Sequence, residues 1–423
     1  MRSFKLFIFL IIASTPATDW YVRPAGGNYG AENGTSYSNA WDGLKNVVWG
    51  ANGVKAGDTL YICGLHIFNR TNNTLSESVI EVTASGTGEN SRITIRGDYP
   101  DDPGITWGGC KLNWGTWTNE GDNTYSLVLN GNQFPDWWMQ DVSASNWTVL
   151  TPVNSVAECK STAGSVYSVG YAGGSTLYVH CSDGGNPTGR IVAPEMGWRF
   201  SILDQQYITF KNLKLYNPTW MWWLRDDNPS THLRWDGCTI WYGESNMFGL
   251  LDGMYYYEWI NCDLGHSGNG IAIQYTVKNG GNDPHDGLIQ SCYFHDMGVR
   301  TALQNPDAHA IGVNGGHDWI IEKSEFYNCG TTICLYALDE DSSIWNFKIR
   351  WNYIHDTHNY GGAPGMGIEL ACGAAHGDCS GHEIYGNIVA RTNGTNGTGI
   401  RTKYHDLVKI YNNVVYNAGN HSF

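Results

Sequence analysis

One short pattern returns along the second half of the chain and limits what that chain can fold into. The segments WDGCTIWYG, WINCDLGHSG, IQSCYFHDMG, IEKSEFYNCG, IRWNYIHDTH, IYGNIVARTNG and IYNNVVYNAG share one rule: an apolar residue, two variable positions, a Cys, Ser or Asn, one variable position, then Ile, Val, Leu or Phe. The pivots are Cys238, Cys262, Cys292, Ser324, Asn352, Asn387 and Asn413. Three residues before them stand Trp235, Trp259, Ile289, Ile321, Ile349, Ile384 and Ile410; two residues after stand Ile240, Leu264, Phe294, Phe326, Ile354, Val389 and Val415. Steps between pivots run from 24 residues (238 to 262) to 35 (352 to 387). That range is too irregular for helical repeats but natural for coils with fixed strands and variable turns. One coil cannot bury its own apolar residues, so successive coils must stack as parallel strands about 4.8 Å apart, like positions forming ladders. FKNLKLYNP, around Asn212, fits in part.

Composition agrees with short strands and tight turns, since 53 Gly, 19 Trp and 25 Tyr accompany only 15% charged residues. The one stretch with helical periodicity is AWDGLKNVVWGA, residues 40 to 51. Residues 1 to 17 carry Arg2 and Lys5 ahead of LFIFLIIA, a run too short to span a bilayer and ending in small residues, which reads as a secretory signal peptide. The expected mature protein is extracellular, or periplasmic in a bacterium, without membrane insertion. A net charge of −15 argues against nucleic acid, which needs a basic face. Sequons at Asn33, Asn69, Asn72, Asn146, Asn393, Asn396 and Asn420 fit a glycosylated surface. Among 11 cysteines, Cys372 with Cys379, Cys329 with Cys334 and Cys159 with Cys181 are close enough in sequence to clip loops or a hairpin. Cys238, Cys262 and Cys292 read instead as an inward stack of small apolar thiols, because a straight ladder lacks the tetrahedral geometry of zinc.

The ladder pattern resembles the right-handed parallel β-helix superfamily, the pectate-lyase-like proteins. WYVRPAGGNYGAENGTSYSNAW and VKAGDTLYICG are similar to the opening of secreted β-helix proteins that act on polysaccharides, and STLYVHCSDGGNPTGRI resembles a β-rich insertion that such proteins carry. The resemblance implies an all-β fold: a cap and first coils over 18–100, an insertion over 101–200 and regular coils over 201–423. The last coil ends without a recognisable cap, which would allow end-to-end self-association through its open strand edges.

Two sets of residues are candidates for chemistry. Asp283-Pro284-His285 resembles the Asp-Pro-His signature of mannuronan C5-epimerases, although Gly281-Asn282 stands where those enzymes place a tyrosine and a bulky residue. His285-Asp286 and His317-Asp318 share one repeat position, however, and His295-Asp296 and His355-Asp356 share another, so turn architecture alone explains such pairs. The second set lies on the strands GIAIQY, HAIGVN, ICLYAL, GIELAC and GIRTKY. Alternation turns Glu369, Arg401 and Lys403 outward, with Gln274 and Tyr336 on the same face. Removing the proton beside a uronate carboxylate needs a cation for that carboxylate and a base for the proton. Arg401 suits the first role through bidentate binding. Lys403 suits the second once burial or a neighbouring cation frees its lone pair, with Glu369 orienting both and His309 as a second base. The bland alternative is a surface ion pair worth about 0 to 1 kcal/mol.

Asp339-Glu340-Asp341 could hold Ca²⁺ or form a solvated turn. Trp222 and Trp223, in WMWW, could stack on sugar rings. The leading expectation is a lyase cleaving uronic-acid polysaccharide by β-elimination, with C5-epimerase as its close relative. A hydrolase would use two carboxylates among Asp307, Asp339 and Glu369. The alternative from another class is a non-catalytic carbohydrate-binding or fibre-forming protein.

Overall fold

In the computed structural model nearly all regular structure is strand; residues 16–70, 80–112, 116–128, 139–143, 146–169, 176–193, 200–216, 229–243, 246–274, 283–299, 308–337, 342–359, 364–372, 377–393 and 397–419 are described. Among them the α-helix is confined to Val156–Ser161. Residues 40 to 51, expected to be helical, form a two-residue strand and two 3₁₀ turns, Leu44–Asn46 and Gly50–Asn52. Gly43 and Gly50, both at positive φ, interrupt any longer helix.

Each coil crosses three long sheets in turn. The coil of Cys262, for example, runs through Glu258–Ile260, Asp263–Gly265 and Asn269–Ile273, and each of these pairs in parallel with its counterpart in the next coil, Leu288–Gln290, Tyr293–His295 and Ile311–Val313. The sheets hold twelve, thirteen and six strands among the described residues. The expected ladders are in register: Phe210, Trp235, Trp259, Ile289, Ile321, Ile349, Ile384 and Ile410 are successive partners, as are Ile240, Leu264, Phe294, Phe326, Ile354, Val389 and Val415. Both columns point into one continuous apolar core.

The second half of the sheet joins the first without a gap, because Gln206–Lys211 pairs directly with Ile93–Arg96. The intervening chain leaves and returns. It builds a separate five-stranded sheet containing Thr124–Val128, Ser165–Val169 and Thr176–His180 over its own core of Leu127, Leu150, Val166, Leu177 and Val179.

The pivots do more than fill space. Cys238, Cys262 and Cys292 each point Sγ at the carbonyl three residues before the preceding pivot position, on Phe210, Trp235 and Trp259, at 3.4 Å. Asn352, Asn387 and Asn413 donate from Nδ2 to the equivalent carbonyls of Ile321, Ile349 and Ile384 at 2.8 to 3.0 Å. Reading the thiols as purely apolar therefore missed their donor role. Each Asn also accepts from the amide of the pivot before it: Ser324 N to Asn352 Oδ1, Asn352 N to Asn387 Oδ1 and Asn387 N to Asn413 Oδ1, all at 3.0 Å.

Cysteine pairing matches expectation at one place. Cys372 and Cys379 form a disulfide. Cys329 and Cys334 do not pair, because Cys329 joins the inner core while Cys334 lies on the outward register with its Sγ 3.9 Å from Glu369 Oε2. Cys159 and Cys181 also stay free: the first sits on the helix with its sulfur against Ser165, and the second belongs to the insertion core.

The ladder gives a test. Asn387→Ala would remove two donated and two accepted bonds and leave the buried Asn352 amide unsatisfied, costing about 3 to 5 kcal/mol. Cys262→Ala, which loses one weak donor and a sulfur, would cost about 1 to 2 kcal/mol. Urea unfolding of the two variants should place their midpoints in that order.

Candidate functional site

The outer face of the six-stranded sheet collects most of the second candidate set. Its strands, Asn246–Leu250, Asn269–Ile273, Ile311–Val313, Thr331–Leu335, Met366–Ala371 and Ile400–Lys403, turn Phe248, Ile271, Ile311, Ile333, Ile368 and Ile400 inward. The next residue of each strand faces out, and the register lines these up as Gly249, Ala272, Gly312, Cys334, Glu369 and Arg401. Half of that row is Gly or Ala, so the backbone itself forms part of the floor. Two residues further along, Gln274, Asn314, Tyr336 and Lys403 follow on the same face.

His309 reaches this face from the loop side: a Cβ placed on Gly312 would lie 2.7 Å from His309 Nδ1. Any side chain larger than hydrogen at Gly312 would displace the imidazole. Its backbone is held by a bond from His309 N to Asn269 Oδ1 at 2.9 Å. Glu369 is buried and Arg401 Nη2 donates to its Oε1, while the Arg401 side chain as a whole is 44% exposed. Register pairs Glu369 with Arg401, and Lys403 with Ala371. Lys403 is exposed, with Nζ 4.9 Å from the ring centre of Tyr404. The burial expected of a lysine acting as a base is absent. Gly312 and Arg401 are separated by three strand steps, about 14 Å, so His309 and Arg401 serve different stretches of this floor.

The His-Asp pairs at 285, 295, 317 and 355 stand at corners. In each, the Asp has positive φ and its Oδ2 lies 2.7 to 2.8 Å from Nδ1 of the preceding His. His285 is sandwiched between Tyr255 and His317 with ring centres 5.0 and 4.8 Å away. His295 donates to Asp263 Oδ1 and Asp296 Oδ2 at 3.0 and 2.8 Å. Burial alone would lower its pKa, but those two carboxylates raise it to about 9. Both candidates thus have their ring nitrogens or faces committed to the coil stack.

Asp283 is different. Partial burial, and then the charge of the buried Asp252, push its pKa up to about 6 against a small opposing pull from His285. Asp252 belongs to the coil before, and nothing in the repeat rule singles it out.

Three clusters bring metal-type ligands together among the described residues: Cys372, Cys379 and His405; His266, His295 and Asp296; and Asp141, Cys181 and Asp183. Arg190 already bridges Asp141 and Asp183. Both nitrogens of His295 face carboxylates, which leaves it no lone pair to offer. In the first cluster the two sulfurs are bonded to each other as the disulfide. Asp339, Glu340, Asp341, Asp307, Trp222 and Trp223 lie outside the described residues, as do Asn72, Asn396 and Asn420. Asn33 and Asn393 are exposed, and Asn69 and Asn146 lie on strands.

No protein-family profile and no curated protein matches the chain. A solved structure described as the complex of XylC with xylose superposes with TM-score 0.51 and 10% identity over 95% of this chain and 86% of that one, which shows a shared fold. The A-module of the mannuronan C-5 epimerase AlgE6 of Azotobacter vinelandii aligns over 96% of this chain and 91% of that one at 10% identity, with a TM-score of 0.31, too loose a superposition to bear on fold or activity.

The Asp252 and Asp283 pair predicts a pH effect. A folded-state pKa of about 6, above the ordinary 3.8, means that the protonated carboxyl is favoured in the fold. Its contribution is complete below about 3.8 and is lost as pH rises through about 6. Asp283→Asn should therefore raise stability at pH 8 by about 2 kcal/mol, with the gain vanishing near pH 4 in thermal unfolding.

Proposed function

We propose that this is an exported, right-handed parallel β-helix protein that acts on a uronic-acid polysaccharide at the outer face of its six-stranded sheet. Right-handed winding follows from the bias of parallel crossovers. The observation that carries the reading is one row of small residues, Gly249, Ala272 and Gly312, continuing through Cys334 into the buried carboxylate of Glu369 and the half-exposed side chain of Arg401. A polymer could lie along such a floor, with Tyr336, 39% exposed, offering a ring for stacking.

In this reading Arg401 neutralises the uronate carboxylate and so acidifies the adjacent C–H. Lys403, two residues along the same strand and about 6.7 Å away, takes that proton. Glu369 holds the guanidinium in place. Departure of the glycosidic oxygen from the next carbon, with a proton taken up from water so that it leaves as a sugar hydroxyl, then completes β-elimination. His309 is the second base, serving a different sugar position. A C5-epimerase begins with the same proton removal but returns a proton to the opposite side. Asp283, with its pKa pushed up to about 6, favours this second reading because it can exchange protons near neutrality. Ca²⁺ at Asp339-Glu340-Asp341, stacking on Trp222 and Trp223, and glycosylation at the sequons remain part of the proposal.

Mixing the protein with alginate, pectate and glycosaminoglycans, with Ca²⁺ or with chelator, should give the ultraviolet absorbance of an unsaturated uronate. Arg401→Ala should lower kcat/KM about 100- to 1000-fold, and Lys403→Ala should lower kcat. Loss of activity in His309→Ala with Lys403→Ala unaffected would move the base to His309. No absorbance change on any substrate, with altered uronate composition by NMR, would favour the epimerase. Neither change from folded protein would overturn both and favour a binding or fibre-forming protein, whose end-to-end assembly light scattering would detect.

A further inference from the structure

At the end of the same sheet three turns converge on one spot. Cys372 follows Met366–Ala371 and donates its amide to the Lys403 carbonyl at 3.1 Å, so it sits one coil from the turn that carries His405. Cys379 opens the short strand Cys379–Ser380 on the far side of that turn. His405 Nε2 lies 3.0 Å from Cys372 Sγ, and the ligand atoms of Cys372, Cys379 and His405 all fall within 4.8 Å of one another. The Cα atoms of the two cysteines are 7.3 Å apart, which two thiolates on one ion span readily at metal–sulfur distances of about 2.3 Å.

A support for the imidazole is present as well. His405 Nδ1 is 3.0 Å from Nε2 of His382, which is fully buried. The other edge of His382 meets both a donor, the Phe347 amide at 3.3 Å, and an acceptor, the Ile344 carbonyl, so either neutral tautomer is accommodated. Binding an ion through His405 Nε2 would put the His405 proton on Nδ1, donated to His382 Nε2; His382 would then carry its own proton on Nδ1 toward the Ile344 carbonyl, in place of the bond that Nδ1 accepts from Phe347 N. Metal-bound imidazoles have such an outer hydrogen bond, which sets ring orientation and tautomer.

We propose that Cys372, Cys379 and His405 are a zinc site that is closed in the disulfide form and opens on reduction, with His382 as a positioning residue. Two thiolates and one imidazole suit Zn²⁺ rather than the oxygen-seeking Ca²⁺ or Mg²⁺. Opening the disulfide takes two electrons and two protons from a thiol reductant, which is oxidised to its own disulfide. Each cysteine then releases a proton as its sulfur binds the ion. The fourth position is left for water, as in sites of three protein ligands. The site adjoins Lys403 and the coils of Glu369 and Arg401, but the inference is independent of any action on polysaccharide.

The test uses the full chain, oxidised or reduced with a thiol that is then removed, exposed to zinc chloride and desalted. Elemental analysis should find about one zinc per reduced chain and none on the oxidised protein, with zinc lost in Cys372→Ser and Cys379→Ser. His382→Gln should weaken zinc binding about 10- to 100-fold without abolishing it. A second measurement needs no variant: zinc should protect the Cys372 and Cys379 thiols of the reduced wild type from alkylation, read by peptide mass. The other described free cysteines are all buried. Zinc bound equally by the oxidised protein, or no protection of these two thiols, would overturn the proposal.

Discussion

The coil depends on corners that turn the chain without breaking the hydrogen bonds between coils. Three positions per circuit take positive φ. One column contains Asn212, Gly237, Asn261, Ser291, Lys323, Trp351, Gly386 and Asn412; a second runs from Tyr242 through His266, Asp296, Asn328, Asp356 and Arg391 to Asn417; a third contains His232, Tyr256, Asp286, Asp318, Asn346 and Gly381. At these corners the amide still reaches the next coil, as in Asn261 N to Gln290 O, His266 N to His295 O and Asp286 N to His317 O at 3.0 to 3.3 Å. A left-handed residue costs bulky side chains about 1 to 2 kcal/mol. That Tyr242, Trp351 and Arg391 accept the cost shows how strongly the retained bond selects the conformation.

The same constraint accounts for the His-Asp pairs. An Asp at a left-handed corner leaves its carboxylate between the preceding His and the next coil's corner residue, so Asp296 receives Asn328 Nδ2 at 2.5 Å and Asp356 receives Arg391 Nε at 2.6 Å. The motif that looks most catalytic in the sequence is thus part of the scaffold. The pivots tell a similar story. Cys, Ser and Asn alternate at one position because each is small and carries polar hydrogen-bonding atoms, and the Asn end of the ladder gains an acceptor for the neighbouring amide that a thiol supplies poorly.

Structure redistributes the remaining chemistry between two neighbouring places. Glu369 and Arg401 meet on the exposed side of one sheet, while the histidines His382 and His405 gather with Cys372 at its end. The second is small and enclosed, with sulfur and nitrogen rather than oxygen as its donors.

Periodicity alone was enough to place the ladders. An apolar residue three before and two after each pivot must point inward if strands alternate, and that also put Glu369 beside Arg401 or Lys403 one coil away, of which the register of the structure selects Arg401. The disulfide between Cys372 and Cys379 was one of the pairs their spacing offered, whereas Cys329 and Cys334, closer still in sequence, fall on opposite sides of the backbone. What sequence could not convey was any contact set by a turn of variable length. His309 over Gly312, Asp252 beside Asp283 and His405 against Cys372 all involve residues at turns or strand ends, where the repeat rule says nothing. Strand positions are dictated by alternation and burial, which are local and periodic; turn contacts depend on where loops of unequal length return, and only the tertiary structure decides that.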